Sequence, residues 1–351
     1  MISFECDYNN GAHPKVVEAL VRTNGEQTLT YGADIHSDHA RELIRAACET
    51  DDAQVFLLTG GTQANLVVID AMLAGHEAVI AADTGHISIH EAGAIEACGH
   101  KVIVLGHHEG KLRAEDLSAY MEWFINDESR EHLAQPAMVY LSFPTELGTL
   151  YDRAELAAIA DTCARYGLKL FIDGARLGYG VEASDDINLP WLCRHCDVLY
   201  IGGTKVGALC GETVVFTHNN APRHFFTMMK RRGAVLAKGR LTGVQFEALF
   251  TPGDNARPLY FEISRHAIAM ARQMKAMFRE LGLELWLDSP TNQQFVVLDN
   301  DLMHRLEQHV LFTHWQPLDG HRMACRFVTS WATTEDDLRQ LREILVNDLN
   351  S

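Results

Sequence analysis

The sequence has no excess of basic residues and no long apolar run. Its 351 residues include 30 Lys and Arg against 47 Asp and Glu, which gives a formal net charge of −17. Because phosphate binding leaves a basic footprint on a protein, this balance argues against nucleic acid as a partner. The lack of an apolar segment of membrane-spanning length argues against a membrane as a partner.

The beginning of the chain also lacks a targeting pattern. The stretch MISFECDYNNGAHP has neither a basic start followed by an apolar run nor a cleavage site. The eight cysteines are scattered rather than spaced as a small secreted framework, so we expect reduced thiols and a cytoplasmic protein. Cys193 and Cys196 have the spacing of a metal or redox site, but no second Cys/His pair is placed to complete four zinc ligands. We therefore expect part-buried thiols there and no metal site.

Between about residues 50 and 220, short apolar runs alternate with segments of helical periodicity. The runs predict strands, and the periodic segments predict helices. This alternation implies an α/β fold, with a mostly parallel sheet covered on both faces. The predicted strands are 55–58, 78–82, 102–105, 138–142, 168–172 and 198–201, and the predicted helices are 64–73, 90–98, 114–125 and 153–166.

The pattern changes after about residue 257. A long helix is predicted at 259–281, strands at 295–298 and 323–328, and a last helix at 334–349. These segments are typical of a small α+β domain. We therefore predict two domains, an N-terminal segment with a large α/β domain at 1–250 and a small C-terminal domain at 251–351.

Open α/β sheets bind ligands at the loops beyond the carboxyl ends of their strands, and three such loops carry unusual residues. In the first, TGGTQAN at 59–65, Gly60 and Gly61 let the backbone curl at the start of a helix. Free N–H groups and the helix dipole at that point favour an anion such as a phosphate. The alternative is a plain turn capped by Thr62. The loop matches neither the GxGxxG nor the GxxxxGK[ST] nucleotide pattern, which disfavours a nucleotide-dependent enzyme.

The second loop, FIDGAR at 171–176, places Asp173 at the end of a buried strand. A buried carboxylate needs a partner, either in Arg176 and a local cap or in the positive nitrogen of a ligand. The third loop, GGTKVG at 202–207, places Lys205 among small residues. Partial desolvation there lowers the pKa of a lysine and favours Schiff-base chemistry, whereas the alternative is an ordinary lysine at a helix start.

An anion turn, a strand-end carboxylate and a strand-end lysine, in that order, describe a pocket for pyridoxal phosphate. Gly60, Gly61 and Thr62 would hold the phosphate, Asp173 the ring nitrogen, and Lys205 the aldehyde carbon. At this point the sequence resembles a known family over nearly its whole length. It is similar to the L-threonine aldolases of low specificity, which are grouped with the β-eliminating lyases among the aspartate-aminotransferase-like (fold type I) pyridoxal phosphate enzymes. The motifs that carry the resemblance are DYNNGAHPKVVEAL, YGADIHSDHARELI, TGGTQAN, HISIHEAGAIE, PTELGTLY, FIDGARLGYG, GGTKVGALCGE, KRRGAVLAKGR and CRFVTSWATTEDDL.

The resemblance implies further site residues. His86 would stack over the cofactor ring near the substrate hydroxyl, and Thr204 would join the cofactor contacts. Arg176 would serve both cofactor and substrate, and with Arg326 it would bind the substrate carboxylate, which suits their planar guanidinium groups. The segment with Lys238 and Arg240 resembles a basic loop that reaches the cofactor phosphate of a neighbouring subunit, which implies a homodimer or homotetramer with shared sites. Its alternative is a solvated charge run.

Three places depart from the family pattern. Asp34 and His36 follow Tyr31-Gly32 with an altered spacing, which leaves the side-chain preference of the substrate open. Cys6 stands where family members commonly have a serine near the substrate carboxylate, and Thr145-Glu146 replaces a histidine that some members carry, so no second catalytic histidine is assigned.

The reaction implied is cleavage of L-threonine or L-allo-threonine, or of another β-hydroxy-α-amino acid, to glycine and an aldehyde. Asp173 would keep the ring nitrogen protonated, and His86, directly or through water, would take the hydroxyl proton. Replacing His86 is expected to slow turnover without loss of the cofactor. The alternatives are a pyridoxal-phosphate-dependent β-eliminating lyase, a threonine transaldolase, and a non-catalytic protein that binds the cofactor or another phosphate ligand.

Overall fold

The structure is a computed structural model that describes residues 1–253 and 256–349. The bounds of the strands follow in chain order. They are β1 (Ile2–Ser3), β2 (Gln54–Leu58), β3 (Glu77–Ala82), β4 (Lys101–Leu105), β5 (Gln135–Ser142), β6 (Lys169–Gly174), β7 (Val198–Gly202), β8 (Glu212–Phe216), β9 (Leu285–Leu287), β10 (Gln293–Asp299), β11 (Val310–Leu311), β12 (Thr313–Pro317) and β13 (Arg322–Val328).

The helices cover the central sheet and the smaller C-terminal sheet. They are α1 (Pro14–Thr23), α2 (Ile35–Cys48), α3 (Gly61–Met72), α4 (His86–Ile89), α5 (Ala114–Asn126), α6 (Arg153–Tyr166), α7 (Leu177–Ala183), α8 (Leu189–His195), α9 (Phe225–Arg231), α10 (Arg240–Phe250), α11 (Leu259–Glu280), α12 (Asn300–Leu306) and α13 (Glu335–Leu349). Within the described ranges, none of the helices combines the length and the apolar character needed to cross a lipid bilayer.

The central sheet has seven strands in the order β2-β8-β7-β6-β5-β3-β4. Its strands run parallel except for β8, which is antiparallel to both of its neighbours. Alternate residues of β7 enter different apolar clusters, Leu199 and Ile201 on one face and Val198 and Tyr200 on the other. Burial on both faces explains why these strands read as continuous apolar runs, as the sequence predicted for an α/β fold.

The C-terminal region forms a second sheet of four strands in the order β12-β13-β10-β9. Its core includes Phe278 of α11, Phe327 of β13 and Leu341 of α13. The short strand β1 pairs with β11, so the start of the chain packs into this region. Helix α11 contacts α7 of the large region through Tyr260, whose hydroxyl accepts a hydrogen bond from the N–H of Gly178 at 3.2 Å. The division at residues 250/251 stays a prediction.

One predicted element is wrong. The helix expected at 90–98 does not form; α4 ends at Ile89, and a single 3-10 turn follows at Glu96–Cys98. Ala92 and Gly93 adopt φ angles of +52° and +71°, which a right-handed helix does not allow. The apolar spacing in this segment therefore reflects burial of a compact loop.

Candidate active site

Loops that follow β2, β5, β6 and β7 enclose a cavity of about 370 Å³ at the carboxyl edge of the central sheet. The strand register places Ser142 beside Asp173 and Asp173 beside Tyr200, so neighbouring strands end together there. A cavity of this size is typical of sites for small molecules. Of the residues predicted from the sequence, it brings together Gly60, Gly61, Thr62, His86, Asp173, Arg176, Thr204 and Lys205.

The turn between β2 and α3 has the features of an anion site. Helix α3 begins at Gly61 after Gly60, and no side chain caps it. Its first N–H groups have no partner within the helix. They form the positive end of the helix dipole. The alternative in which Thr62 caps the helix is not observed. A Cβ at position 61 would lie 2.8 Å from the hydroxyl oxygen of Tyr200, so a larger residue there would displace that side chain.

Asp173 is buried, with 4% of its surface exposed, and its partners are all neutral. Its Oδ2 accepts hydrogen bonds from Asn65 Nδ2, at 2.8 Å, and from the hydroxyl of Tyr140. Its Oδ1 accepts from the N–H of Ala175 at 2.8 Å. A carboxylate has about four lone-pair positions, so one remains for a protonated ring nitrogen in the cavity. Arg176, the alternative partner, is not bonded to it.

A chain of hydrogen bonds connects Asp173 to His86. The same Asn65 Nδ2 donates to Glu91 Oε1 at 2.7 Å, and His86 Nδ1 lies 2.7 Å from that oxygen. With Glu91 ionised, Nδ1 carries the proton and Nε2 is the free acceptor of the ring. Burial raises the pKa of Glu91, which is consistent with its place beneath the site. Asn65 and Glu91 thus fix the imidazole beside the cavity.

Lys205 follows β7 where the sequence predicted a partly desolvated lysine. Burial lowers the pKa of its ammonium group, and the nearby positive charge of Arg176 acts in the same direction. Its Nζ lies 5.7 Å from the centre of the Tyr8 ring. These surroundings favour a neutral, nucleophilic amine.

Glu212, which the sequence analysis missed, holds the turn before the lysine. Its Oε2 accepts the N–H of Gly203 at 2.9 Å, and its Oε1 accepts the hydroxyl of Thr204 at 2.6 Å. Burial raises the pKa of Glu212 to about 7. The predicted cofactor residue Thr204 therefore has its hydroxyl proton bonded to Glu212, while its side chain still lines the cavity.

Arg176 is held by a second residue that the sequence analysis missed, Asp7. Arg176 Nε donates to Asp7 Oδ2 at 2.7 Å and Nη2 donates to Oδ1 at 3.0 Å. Asn292 Nδ2 adds a hydrogen bond to Asp7 Oδ2 at 2.9 Å. The two bonds from Arg176 leave its Nη1 for a ligand, and the paired carboxylate fixes the plane of the guanidinium group.

Two predicted substrate residues lie outside the first cavity. Arg326 lines a second cavity of about 1000 Å³ that adjoins the first, where its guanidinium carbon stands 5.0 Å from the centre of the Trp315 ring. Burial lowers the pKa of Arg326, and Arg176 contributes to this shift. Cys6 is partly buried but lines neither cavity. Both residues keep their predicted roles as proposals.

Arg240 lies away from the cavity of its own chain. Its Nη1 and Nη2 donate to the backbone oxygens of Glu26 at 2.8 Å and Asn24 at 3.0 Å. Nearby, Lys230 Nζ lies 4.5 Å from the centre of the Tyr31 ring. Contact between Arg240 and a cofactor phosphate therefore requires a second copy of the chain.

The cysteines do not form disulfides. All eight are free, and Cys193 and Cys196 are buried beside Cys48. A hydrogen bond with Cys193, together with burial, holds the pKa of the Cys48 thiol well above its usual value. Among residues 1–253 and 256–349, no group of three His, Cys, Asp or Glu side chains is arranged to hold a metal ion.

Known proteins match this chain in sequence and in fold. The family model described as Beta-eliminating lyase matches residues 9–301. The low specificity L-threonine aldolase of Pseudomonas aeruginosa is 28% identical over 346 residues, which covers 97% of this chain and 95% of that protein. A solved structure of the threonine aldolase of Leishmania major superimposes with a TM-score of 0.94 at 38% identity and covers 99% of both chains. An aspartate aminotransferase of Thermus thermophilus, 16% identical with a TM-score of 0.67, covers 99% of this chain and 91% of its own and shares the fold.

The fold and the site together define a pyridoxal-phosphate enzyme of the aspartate-aminotransferase-like, fold type I class. The chain belongs to the beta-eliminating lyase family. The cofactor fits the residues present, because the uncapped start of α3, the unfilled acceptor position of Asp173 and the desolvated Lys205 line one cavity.

Proposed function

We propose that this enzyme cleaves L-threonine, L-allo-threonine and other β-hydroxy-α-amino acids to glycine and an aldehyde. The observation that carries the proposal is the single cavity in which Lys205, Asp173 and the start of α3 meet. The threonine aldolases of Pseudomonas and Leishmania major that match nearly the whole chain support the same substrate class.

The cofactor would be held at three points, the phosphate by Gly60, Gly61 and Thr62, the ring nitrogen by Asp173, and the reactive carbon by Lys205 Nζ. When bound, pyridoxal phosphate supplies an electron sink conjugated to the substrate Cα. Asp173 would keep a proton on the ring nitrogen, and His86, fixed by Glu91, would cover the ring.

The substrate would be oriented by arginines. Arg176 and Arg326 line the second cavity and would bind the carboxylate there, which would set the orientation of the Cα–Cβ bond. Cys6 is assigned to the same end of the substrate because it precedes Asp7, the partner of Arg176. Orientation of the bond that breaks is the main contribution of these residues.

Replacing Asp7 tests this orientation. Asp7→Asn is expected to raise KM for L-threonine about tenfold or more with a smaller change in kcat, because a hydrogen bond between charged groups contributes about 1.5–3 kcal/mol. Steady-state kinetics measure this effect, with the exposed neighbour Glu5→Gln as the matched control. An unchanged KM in the Asp7 variant would show that Arg176 does not depend on this pair to bind the carboxylate.

The active enzyme is proposed to be a homo-oligomer with sites shared between subunits, in which Lys238 and Arg240 of one copy approach the cofactor phosphate of the other. The position of Arg240 outside its own cavity supports this arrangement. A cytoplasmic location also stays a prediction, and the eight free cysteines support it.

A mixing experiment tests the shared site. Lys205→Ala and Arg240→Ala chains with different tags are coexpressed and mixed oligomers are isolated. Each mixed pair is expected to regain one intact site, because Lys205 of one copy and Arg240 of the other remain together. Mixed oligomers no more active than the two parents would place both residues in the same subunit's site.

Product analysis tests the substrate class. Cofactor-loaded protein is incubated with L-threonine and, separately, with L-allo-threonine, and the products are identified. Glycine with acetaldehyde is the expected result, and the two rates rank the diastereomers. Release of ammonia and a keto acid would instead assign a β-eliminating lyase, the second reaction that the family description allows.

A further inference from the structure

The border between the two cavities is where a substrate hydroxyl would lie. Five side chains in the described part of the chain line both cavities, namely Tyr8, His86, Glu146, Arg176 and Lys205. With the substrate amine at Lys205 and its carboxylate on the arginines, its β-carbon substituents point across this border. The proton acceptor for the β-hydroxyl should therefore be sought among these five groups.

Four of the five are poorly suited to accept that proton. Arg176 and Lys205 are assigned to the carboxylate and the amine. Burial raises the pKa of Tyr8, so its phenol stays protonated near neutral pH. His86 keeps Nε2 as an acceptor, but its imidazole is assigned to cover the cofactor ring, and its Nδ1 is held by Glu91.

Glu146, in the loop after β5, is held in position by one of its oxygens. Its Oε1 accepts the backbone N–H of His86 at 2.8 Å and the hydroxyl of Ser142 at 2.5 Å. Neither hydrogen bond uses Oε2, so that oxygen is left for a ligand in the cavities that the side chain lines. The carboxylate is thus fixed at the border, and Oε2 takes no part in the bonds from His86 and Ser142.

We propose that Glu146 is the general base that takes the proton of the substrate β-hydroxyl. The assignment rests on the proposed aldol cleavage and deepens it. The O–H bond breaks and its proton moves to Oε2, and the electron pair of that bond forms the C=O of the aldehyde. The pair of the Cα–Cβ bond stays with Cα, which takes up a proton after the aldehyde leaves to give glycine.

The electrostatic surroundings suit this role. Burial raises the pKa of the Glu146 carboxyl, and the charge of Asp173 acts in the same direction. The hydroxyl of Ser142, the backbone N–H of Glu146 itself and His86 oppose the shift. Tyr140 and Tyr151 also face this carboxylate, and their own pKa values are raised. A carboxylate with a raised pKa is a stronger proton acceptor. Cleavage should therefore fall as the pH drops through this pKa, because the protonated carboxyl cannot act as a base.

The test compares two reactions of Glu146→Gln, in which the amide oxygen still accepts the bonds from Ser142 and His86. Threonine cleavage is expected to fall about 10²–10⁴-fold and to lose the acid-side pH dependence that the wild type shows. Glycine has no hydroxyl, so its equilibrium binding, followed by absorbance, and its Cα–H exchange with D2O should stay within about twofold of wild type. Glu115→Gln, an exposed carboxylate on α5 that lines neither cavity, is the matched control.

The outcomes separate the two proposals. If Glu146→Gln cleaves threonine at the wild-type rate, or loses cleavage and glycine exchange equally, Glu146 is not the base. If the wild type exchanges glycine but releases no aldehyde from β-hydroxy amino acids, the proposed function fails and the role of Glu146 fails with it.

His86→Ala should slow both reactions together, since it removes the group that is assigned to cover the ring. Glu146→Ala is expected to regain cleavage as formate is added, and no gain would count against the assignment.

Discussion

Lys205→Ala is expected to lack the visible absorbance of covalently bound cofactor and to lower aldol cleavage by at least about 10³-fold. The physical reason is that Lys205 is the one lysine among the described residues that line the first cavity, and burial there lowers the pKa of its amine. Without this amine the cofactor is held by its phosphate and ring contacts alone. The measurements are the absorbance spectrum of the purified variant after loading and its rate of aldehyde release.

The control for this prediction is Lys169→Ala, an exposed lysine at the amino end of β6. It should keep the wild-type spectrum and rate. A Lys205→Ala protein that still carries covalently bound cofactor would place the attachment at another lysine. Lys205, in the loop after β7, would then not be the residue that holds the cofactor.

Asp173→Asn is expected to lower kcat by about 10²–10³-fold, the cost of removing a preorganised electrostatic group from a buried site, and to weaken cofactor retention. Asparagine keeps the size of the side chain and acceptor capacity toward Tyr140, but it removes the charge that stabilises a protonated ring nitrogen. The effect on kcat is measured at saturating cofactor, and retention is measured by dialysis followed by absorbance.

The exposed carboxylate Asp161 on α6 provides the control, and Asp161→Asn should be neutral. Wild-type turnover in Asp173→Asn at saturating cofactor would exclude Asp173 from the electron-sink role. Loss of cofactor alone, with kcat restored by excess pyridoxal phosphate, would limit Asp173 to binding.

The central sheet was predictable because its strands are buried on both faces and read as apolar runs between helices. The same edge-of-sheet argument brought Gly61, Asp173 and Lys205 together from three separate loops, the first of which lies more than a hundred residues before the other two. The prediction of a helix at 90–98 was wrong because the apolar residues of this segment belong to a loop. The positive φ angles of Ala92 and Gly93 interrupt the helix, and the periodicity of apolar residues does not reveal such angles.

The residues that support the site could not be predicted from the sequence, for a different reason. Asp7 pairs with Arg176 across 169 positions, and Asn65 reaches Asp173 across 108 positions. Such contacts depend on the three-dimensional path of the chain and carry no spacing signal. Asn65 and Glu91 do lie inside the motifs TGGTQAN and HISIHEAGAIE, which marked the segments without assigning roles to these side chains.

This chain is proposed to break a Cα–Cβ bond with pyridoxal phosphate on Lys205. The most direct test follows glycine and aldehyde together from L-threonine and L-allo-threonine, with wild type and Lys205→Ala loaded under the same conditions. Glycine and aldehyde are expected in equal amounts from the wild type, and neither product is expected from Lys205→Ala. A yellow wild-type protein that releases neither product from these or other β-hydroxy amino acids would contradict this proposal, as would a variant as active as the wild type.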